Sequence, residues 1–291
     1  MRKTYLLSTD HLEKALWFRD DEDFKVAMNY IAVQAAKHPE VVVLAFILMS
    51  NHCHFVLSGS RNDVVDFVTE FKRCYSIYYR RKYGAAEFLR RNWLDVREVE
   101  NVREALEKAI AYVLDNPVSA NICSHPSQYQ WGSGKLYFGT RSGHFAMFGD
   151  YSARTRLKLF HTRAQDIPDN WIISESGYIL PENYVDIQSV EAIFKTPKRM
   201  NFFLQNSSKA KKFYESPDKL PSFKDQSVFI CIQDLCRSMF QKDSFNSLNA
   251  NEQIELGKQI RYRFNSDANQ IARVCGISYE EAAKLLLDYS G

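Results

Sequence analysis

Three observations predict an α+β fold built on an antiparallel sheet. An unbroken apolar run, Val41–Met49, is followed after a Ser50-Asn51 turn by His52–Leu57, a stretch rich in strand-forming residues. Apolar residues recur at helical spacing on either side of this hairpin. The elements come in the order strand, helix, strand, strand, helix, strand. That is the ferredoxin-like pattern of an antiparallel sheet covered by helices, and a mostly helical C-terminal module follows it.

Residues 4–9 form the first strand candidate. The acidic cluster Asp20-Asp21-Glu22-Asp23 opens a helix at its positive end, and Phe24, Ala27, Met28, Ile31 and Ala35 continue its apolar stripe to Lys37. His38-Pro39 stops it. After the hairpin, Asp63 is placed to cap a long helix from Val64 to about Tyr83, with Val64, Phe67, Val68, Phe71, Tyr75 and Tyr78 on its apolar side and Gly84 at its end. Residues 93–99 give the fourth strand. Asn101–Asn116 gives the next helix, with Val102, Leu106, Ile110 and Val113 as its stripe and Pro117 beyond it.

Three segments are expected: a ferredoxin-like domain over 1–140, a loop-rich extension and linker over 141–224, and a helical module over 225–291. In the extension, Trp171–Ile173 and Tyr178–Leu180 flank Ser176-Gly177 as a small hairpin. Asp186–Phe194 and Pro197–Gln205 are short helices, and the polar Asn206–Lys224 is a linker. Val228–Met239, Ala250–Phe264, Asp267–Cys275 and Tyr279–Asp288 are the four C-terminal helices. The last two resemble a helix-turn-helix, with Ala272 as the small contact residue and Gly276 in the turn. Glu280 and Glu281, with only Lys284 basic, are poor for a groove-reading helix, and DNA binding and a plain packing module both stand as readings.

Composition narrows the class. Hydrophobic residues make up 45% and charged residues 25% of the 291 positions, an ordinary globular profile. No apolar run reaches the roughly 18 residues of a spanning helix, so no membrane partner is expected. Met1–Tyr5 leads into a strand without a signal peptide's apolar stretch. Cys53, Cys74, Cys123, Cys231, Cys236 and Cys275 form no CxxC pair. A cytoplasmic setting is expected. The net charge of +3 is too mild to name a partner.

The chemistry concentrates at two places. His52 and His54 alternate on one strand, so their imidazoles share a face about 7 Å apart along the chain, which is half of a metal site. Two ordinary histidines at a strand start read the same way. Tyr112 and Asn116 lie four apart and share a helix face. A tyrosine hydroxyl is a nucleophile for a phosphodiester, and an amide oxygen beside two imidazoles leaves positions open on Mg²⁺ or Mn²⁺. The alternative is one of 16 tyrosines packing a helix, and an Asn-Pro helix end. Lys72, Arg73, Arg80, Arg81 and Lys82, followed by Arg90 and Arg91, are interleaved with Tyr75, Tyr78, Tyr79 and Tyr83. This suits phosphates and unpaired bases, and equally the solvated side of an amphipathic helix.

Leu48-Met49-Ser50-Asn51-His52-Cys53-His54, then Tyr112-Val113-Leu114-Asp115-Asn116-Pro117-Val118 and Tyr129-Gln130-Trp131, resemble in order and spacing the motifs of a known group. This is the set of single-tyrosine HUH transposases associated with repetitive extragenic palindromes, related to the IS200/IS605 elements. Ser50 stands where that group carries proline, and Cys53 where an aliphatic residue is commoner. The resemblance covers roughly residues 1–140. It implies that Tyr112 is the nucleophile, and that His52, His54 and Asn116 hold Mg²⁺ or Mn²⁺. Lys72, Arg73, Arg80, Arg81, Lys82 and Tyr79 then meet nucleic acid. The implied substrate is single-stranded DNA beside a palindromic hairpin, cleaved through a 5′-phosphotyrosine, with a homodimer as a further expected association. The rival reading is a domesticated, non-catalytic DNA-binding protein or regulator that uses the C-terminal module. A ferredoxin-like RNA binder is a third. The intact His52, His54, Tyr112 and Asn116 argue against both.

Overall fold

The structure, a computed structural model, describes residues 2–9, 16–84, 93–120, 122–139, 146–161, 166–214, 225–264, 266 and 268–287. Arg90 and Arg91, Asp267 and Asp288 lie outside them.

Strands β1 (Lys3–Thr9), β2 (Val42–Met49), β3 (His52–Gly59) and β4 (Leu94–Val99) make one antiparallel sheet in the order β2-β3-β1-β4. Helix α1 (Asp21–Lys37) joins β1 to β2, and α2 (Arg61–Tyr83) joins β3 to β4, so the topology is ferredoxin-like. The side chain of Asp20 caps α1 by accepting the Asp23 N–H. Helix α2 starts three residues before its expected Val64 because Ser60 is the cap, its hydroxyl accepting the Asp63 N–H and donating to the Asp63 carboxylate.

Met49 pairs directly with His52 across the Ser50-Asn51 turn. Side chains of β3 therefore alternate between two different neighbours. Phe55 meets Phe67 and Phe71 of α2, with ring centroids 6.4 and 5.7 Å apart. His54 meets Tyr112 of α3 (Arg103–Ser119) on the other side. The sheet is thus sandwiched, with α1 and α2 on one face and α3 on the other.

The outer edge of β2 is closed by the chain that follows α3. Leu48 N–H donates to the Trp131 carbonyl at 2.9 Å, and the Tyr129 hydroxyl donates to the Leu48 carbonyl at 2.7 Å. Gly132 has to be glycine here: a Cβ would run into the Ile47 side chain and approach the Phe46 carbonyl oxygen to 2.9 Å. Trp131 stacks on Phe24 of α1 at 5.0 Å. The Tyr-x-Trp segment thus closes a sheet edge that would otherwise stand open.

Past residue 140 the core continues. Phe148, Phe160, Ile167, Ile173 and Ile179 pack on Ala32 and Val33 of α1. Tyr178, Leu180, Val190, Phe194, Phe203 and Leu204 join the main core itself. The expected hairpin forms, with Ser174 N–H donating to the Tyr178 carbonyl and Gly177 at φ 88°. Short strands β5 (Ala146–Met147) and β6 (Ile172–Ile173) pair beside it, and α4 (Ala153–Phe160) and α5 (Ile187–Phe194) follow in chain order. The linker reading of Asn206–Lys224 is corrected at its start: α6 spans Pro197–Tyr214, so its first nine residues are helical. Phe203 and Leu204 anchor that helix to the core, and the Lys- and Ser-rich turns after them continue it. Residues 215–224 lie outside the described set.

Four helices close the chain: α7 (Asp225–Phe240), α8 (Ala250–Phe264), α9 (Ala268–Cys275) and α10 (Tyr279–Leu287). They bury their own apolar cluster around Val228, Ile232, Leu256, Ile260 and Ile271. Gly276 turns the chain between α9 and α10 at φ 68°. Glu281 accepts from the Ser278 N–H at 2.8 Å and Ser278 caps α10, so that carboxylate is a capping group whose pKa lies below the usual range. Among the described residues, no helix is long and apolar enough to cross a membrane.

Candidate functional site

The site grows from the register of three strands. His54 on β3 stands opposite Ser8 on β1, and Ser8 stands opposite Asp95 on β4. Residues directly across antiparallel strands share a face. His52 lies two residues before His54 and Arg97 two after Asp95, so all five project from the face that α3 covers.

The two imidazoles are buried side by side, with ring centroids 4.8 Å apart at 74°. The His52 Nδ1–H donates to Asn51 Oδ1 at 2.9 Å. Because that oxygen can only accept, neutral His52 carries its ligating lone pair on Nε2. The His54 Nδ1 shares a 2.7 Å hydrogen bond with the Ser8 hydroxyl, which fixes the ring plane in the same way. Such outer hydrogen bonds are what orient metal-binding histidines. Cys53, between them, turns into the opposite core, and its thiol is pushed well up by burial, so it is no ligand.

Tyr112 brings its ring to 5.3 Å from His54, edge to face, and is 36% exposed. Burial raises its phenol pKa, while Arg97 lowers it and Asp95 raises it. Arg97 Nε is ion-paired to Asp95. These two, with Ser8 and Asn51, are residues that sequence reasoning missed. For Ser8 the signal lay in strand alternation once β1 is paired with β3. For Asp95 and Arg97 it required knowing that β4 is β1's other neighbour.

Asn116 solves a local problem. The expected end of α3 before Pro117 is corrected: the helix runs on to Ser119. Proline has no N–H for the Val113 carbonyl. The Asn116 side-chain Nδ2–H group donates to that carbonyl at 3.3 Å and to the Tyr112 carbonyl at 2.8 Å. With the nitrogen committed to the backbone, the oxygen is the atom of this buried side chain suited to a cation. Among the described residues no cluster of three or more His, Cys, Asp or Glu forms. His52 and His54 are the imidazole pair on this face, and Asn116 lies on the helix that covers it.

The basic set on α2 is on the opposite face of the sheet, and the structure does not bring it to His52, His54 and Tyr112. Tyr79 is corrected outright. It is 1% exposed, so its face is closed to a base, and Tyr75 and Tyr78 are buried with it. The apolar stripe of α2 carries these rings inward because they recur at its helical spacing. Lys82 is committed to Asp20 and Asp23 at 2.7 and 2.8 Å, and Arg73 to Glu70 at 2.8 Å. Arg80 and Arg81 are exposed, and Lys72 is half-buried.

Residues 14–112 match the family described as "Transposase IS200 like". A solved structure titled "Structure of the REP associates tyrosine transposase bound to a REP hairpin" is similar at 14% identity, over 45% of this chain and 76% of that one, with a TM-score of 0.33. No curated protein matches the chain. The family match begins ahead of α1, takes in the whole β2–β3 hairpin and ends on Tyr112, so about a third of the chain is similar to the IS200-like transposases.

Proposed function

We propose that the protein is a metal-dependent, single-tyrosine DNA endonuclease and strand transferase, of the group associated with palindromic repeats, acting on single-stranded DNA beside a hairpin. One observation carries the reading: the Tyr112 ring lies against His54, whose neighbour on the same strand face is His52. The motifs Leu48–His54, Tyr112–Val118 and Tyr129–Trp131 support the narrower grouping.

In this reading the Tyr112 oxygen attacks the scissile phosphorus and the bond to the 3′ oxygen breaks. The phosphate stays on Tyr112 as a 5′-phosphotyrosine. The phenol gives its proton to solvent as it attacks, and the departing strand takes one up to leave as a 3′-hydroxyl. Attack of a 3′-hydroxyl on the phosphotyrosine reverses these steps and joins strands. Burial holds the phenol protonated at neutral pH, so proton loss belongs to the reaction. His52 and His54 through Nε2, and Asn116 through Oδ1, would hold Mg²⁺ or Mn²⁺. When bound, the ion supplies Lewis-acid stabilisation of charge on the phosphate. Asn51 and Ser8 keep the imidazoles oriented. The exposed Arg80 and Arg81, with Lys72, are left as electrostatic contacts for more distant duplex.

The test is incubation with single-stranded hairpin oligonucleotides and Mg²⁺ or Mn²⁺, followed by denaturing electrophoresis. A protein–DNA adduct that maps to Tyr112 and vanishes in Tyr112→Phe is expected. An adduct on another residue, or none with any hairpin, would overturn the reading.

A further inference from the structure

A cleft of about 550 Å³ runs between α3 and α6, along the same helix that carries Tyr112. Its α3 wall holds Lys108 and Ala111; its α6 wall holds Phe202, Phe203 and Asn206. Lys108 stands one helical turn before Tyr112, about 6 Å along the axis, the reach of one nucleotide in an extended strand. Phe202 is 61% exposed, far more than a ring of that size needs to be in a packed fold. It stands edge-on to buried Phe203, at 88° with centroids 5.6 Å apart, which holds its face open to the cleft.

The lining chemistry selects among occupants. Ala111, Phe202 and Phe203 give it an apolar surface, bordered by the polar or charged Glu104, Lys108, Arg199, Asn206 and Ser207, which a wholly apolar peptide would not use. A nucleobase needs what is present: one ring face for stacking, an amide for its polar edge, and an ammonium for the adjoining phosphate. Lys108 pairs with Glu104 at 2.7 Å, but both side chains stand largely in water, so exchanging that carboxylate for a phosphate costs little. The α6 wall does not drift from the helix. Arg199 beside the cleft grips buried Glu107 of α3, with Nη2 to Oε2 at 2.7 Å.

We propose that this cleft receives an unpaired nucleobase of the single strand next to the phosphate that Tyr112 attacks, its ring laid on Phe202 and its phosphate beside Lys108. This rests on the endonuclease reading, and it assigns to α6, which lies outside the family-matched residues, a share in choosing the substrate.

The experiment measures Kd by fluorescence anisotropy for the full-length protein, with a hairpin carrying a single-stranded flank and with the same hairpin carrying an abasic flank. Phe202→Ala should weaken binding of the flanked hairpin roughly 5- to 150-fold, the range for loss of one base–ring stack, and leave the abasic-flank Kd unchanged. Phe202→Trp should restore it. Phe202 is exposed enough for these variants to fold, and thermal unfolding checks that. Equal losses on both DNAs, or no loss on either, would overturn the proposal. So would wild-type protein that binds the two hairpins alike, whether or not the adduct forms. Absence of a Tyr112 adduct with base-specific binding intact would instead count against the endonuclease reading alone.

Discussion

Tyrosines crowd both faces of the four-stranded sheet, and their surroundings give them opposite roles. On the α1/α2 face, Tyr78 and Tyr83 donate to the buried Asp23 carboxylate at 3.0 and 2.8 Å, and Tyr75 donates to the Trp17 carbonyl at 2.5 Å. Burial and the neighbouring carboxylates drive these phenols far above their ordinary pKa, and Tyr79 is pushed up to about 12. Asp23 itself is raised, first by burial and then by Asp20, with Lys82 opposing. Those rings are committed to holding α1 against α2. On the α3 face one tyrosine is a third exposed, lies against an oriented imidazole, and has a cation–carboxylate pair within electrostatic reach. The proposed nucleophile is marked by its face and its neighbours; residue type alone would have offered five candidates on one helix and its partner.

The largest effect that can break this contrast is Tyr112→Phe against Tyr75→Phe. The first should reduce the covalent adduct to background while changing stability by no more than about 0.5 kcal/mol. The second should keep the adduct and lose roughly 1–3 kcal/mol, because the buried Trp17 carbonyl loses its donor. Denaturant melts beside adduct gels check both, and a reversed pattern would exchange the roles of the two faces. Next, His52→Ala and His54→Ala should each remove cleavage, and chelation should remove it from the wild type. Added Mn²⁺ should rescue only the chelated wild type; full-rate cleavage in chelator would make the imidazoles structural.

A smaller effect is expected at Glu107→Gln. It loosens the arginine grip between α3 and α6, and should lower stability by roughly 1–3 kcal/mol and slow adduct formation. Normal kinetics with a lowered Tm would show that the clamp matters to folding alone. The finest test is the pH profile. The raised phenol predicts that adduct formation climbs with pH through the neutral range. Asp95→Asn removes a charge that raises this pKa, so its rising limb should move to lower pH; Arg97→Gln removes one that lowers it and should move the limb to higher pH. Both displacements should shrink in high salt, since Arg97 is largely exposed. Shifts of one sign for both variants would mean that the pair acts through structure.

The hairpin and its paired histidines were legible because side chains alternate along β3 from His52 to Phe55, past the register shift at Val43/Ala45 of β2, and both faces of β3 are buried. Tyr79 was misread because a basic, aromatic helix has the same composition whether its rings point in or out, and the stripe of Tyr75, Tyr78 and Tyr79 points in. Pro117 was misread because a local stop signal was overridden by a side chain, Asn116, which supplies the hydrogen bond that proline cannot. The extension was unreadable for another reason. Phe148, Phe160, Ile173 and Ile179 are scattered singly and acquire meaning only against Ala32 and Val33, more than a hundred residues away. Ser8, Asp95 and Arg97 required the strand order, which no single stretch contains.

The ion pair between Glu107 and Arg199 also sets a timetable. The two partners are 92 residues apart in the chain. At ordinary synthesis rates, the helix that carries Tyr112 emerges from the ribosome roughly 5 to 20 seconds before the residue that clamps it. Through that interval the β2–β3 hairpin is complete while Glu107 waits for its Arg199 partner and α6 has yet to form its wall of the cleft. A nascent or prematurely ended chain would therefore display the two histidines and the tyrosine without their finished surroundings, and the proposed DNA-cutting competence would arrive with the extension, late in the protein's own making.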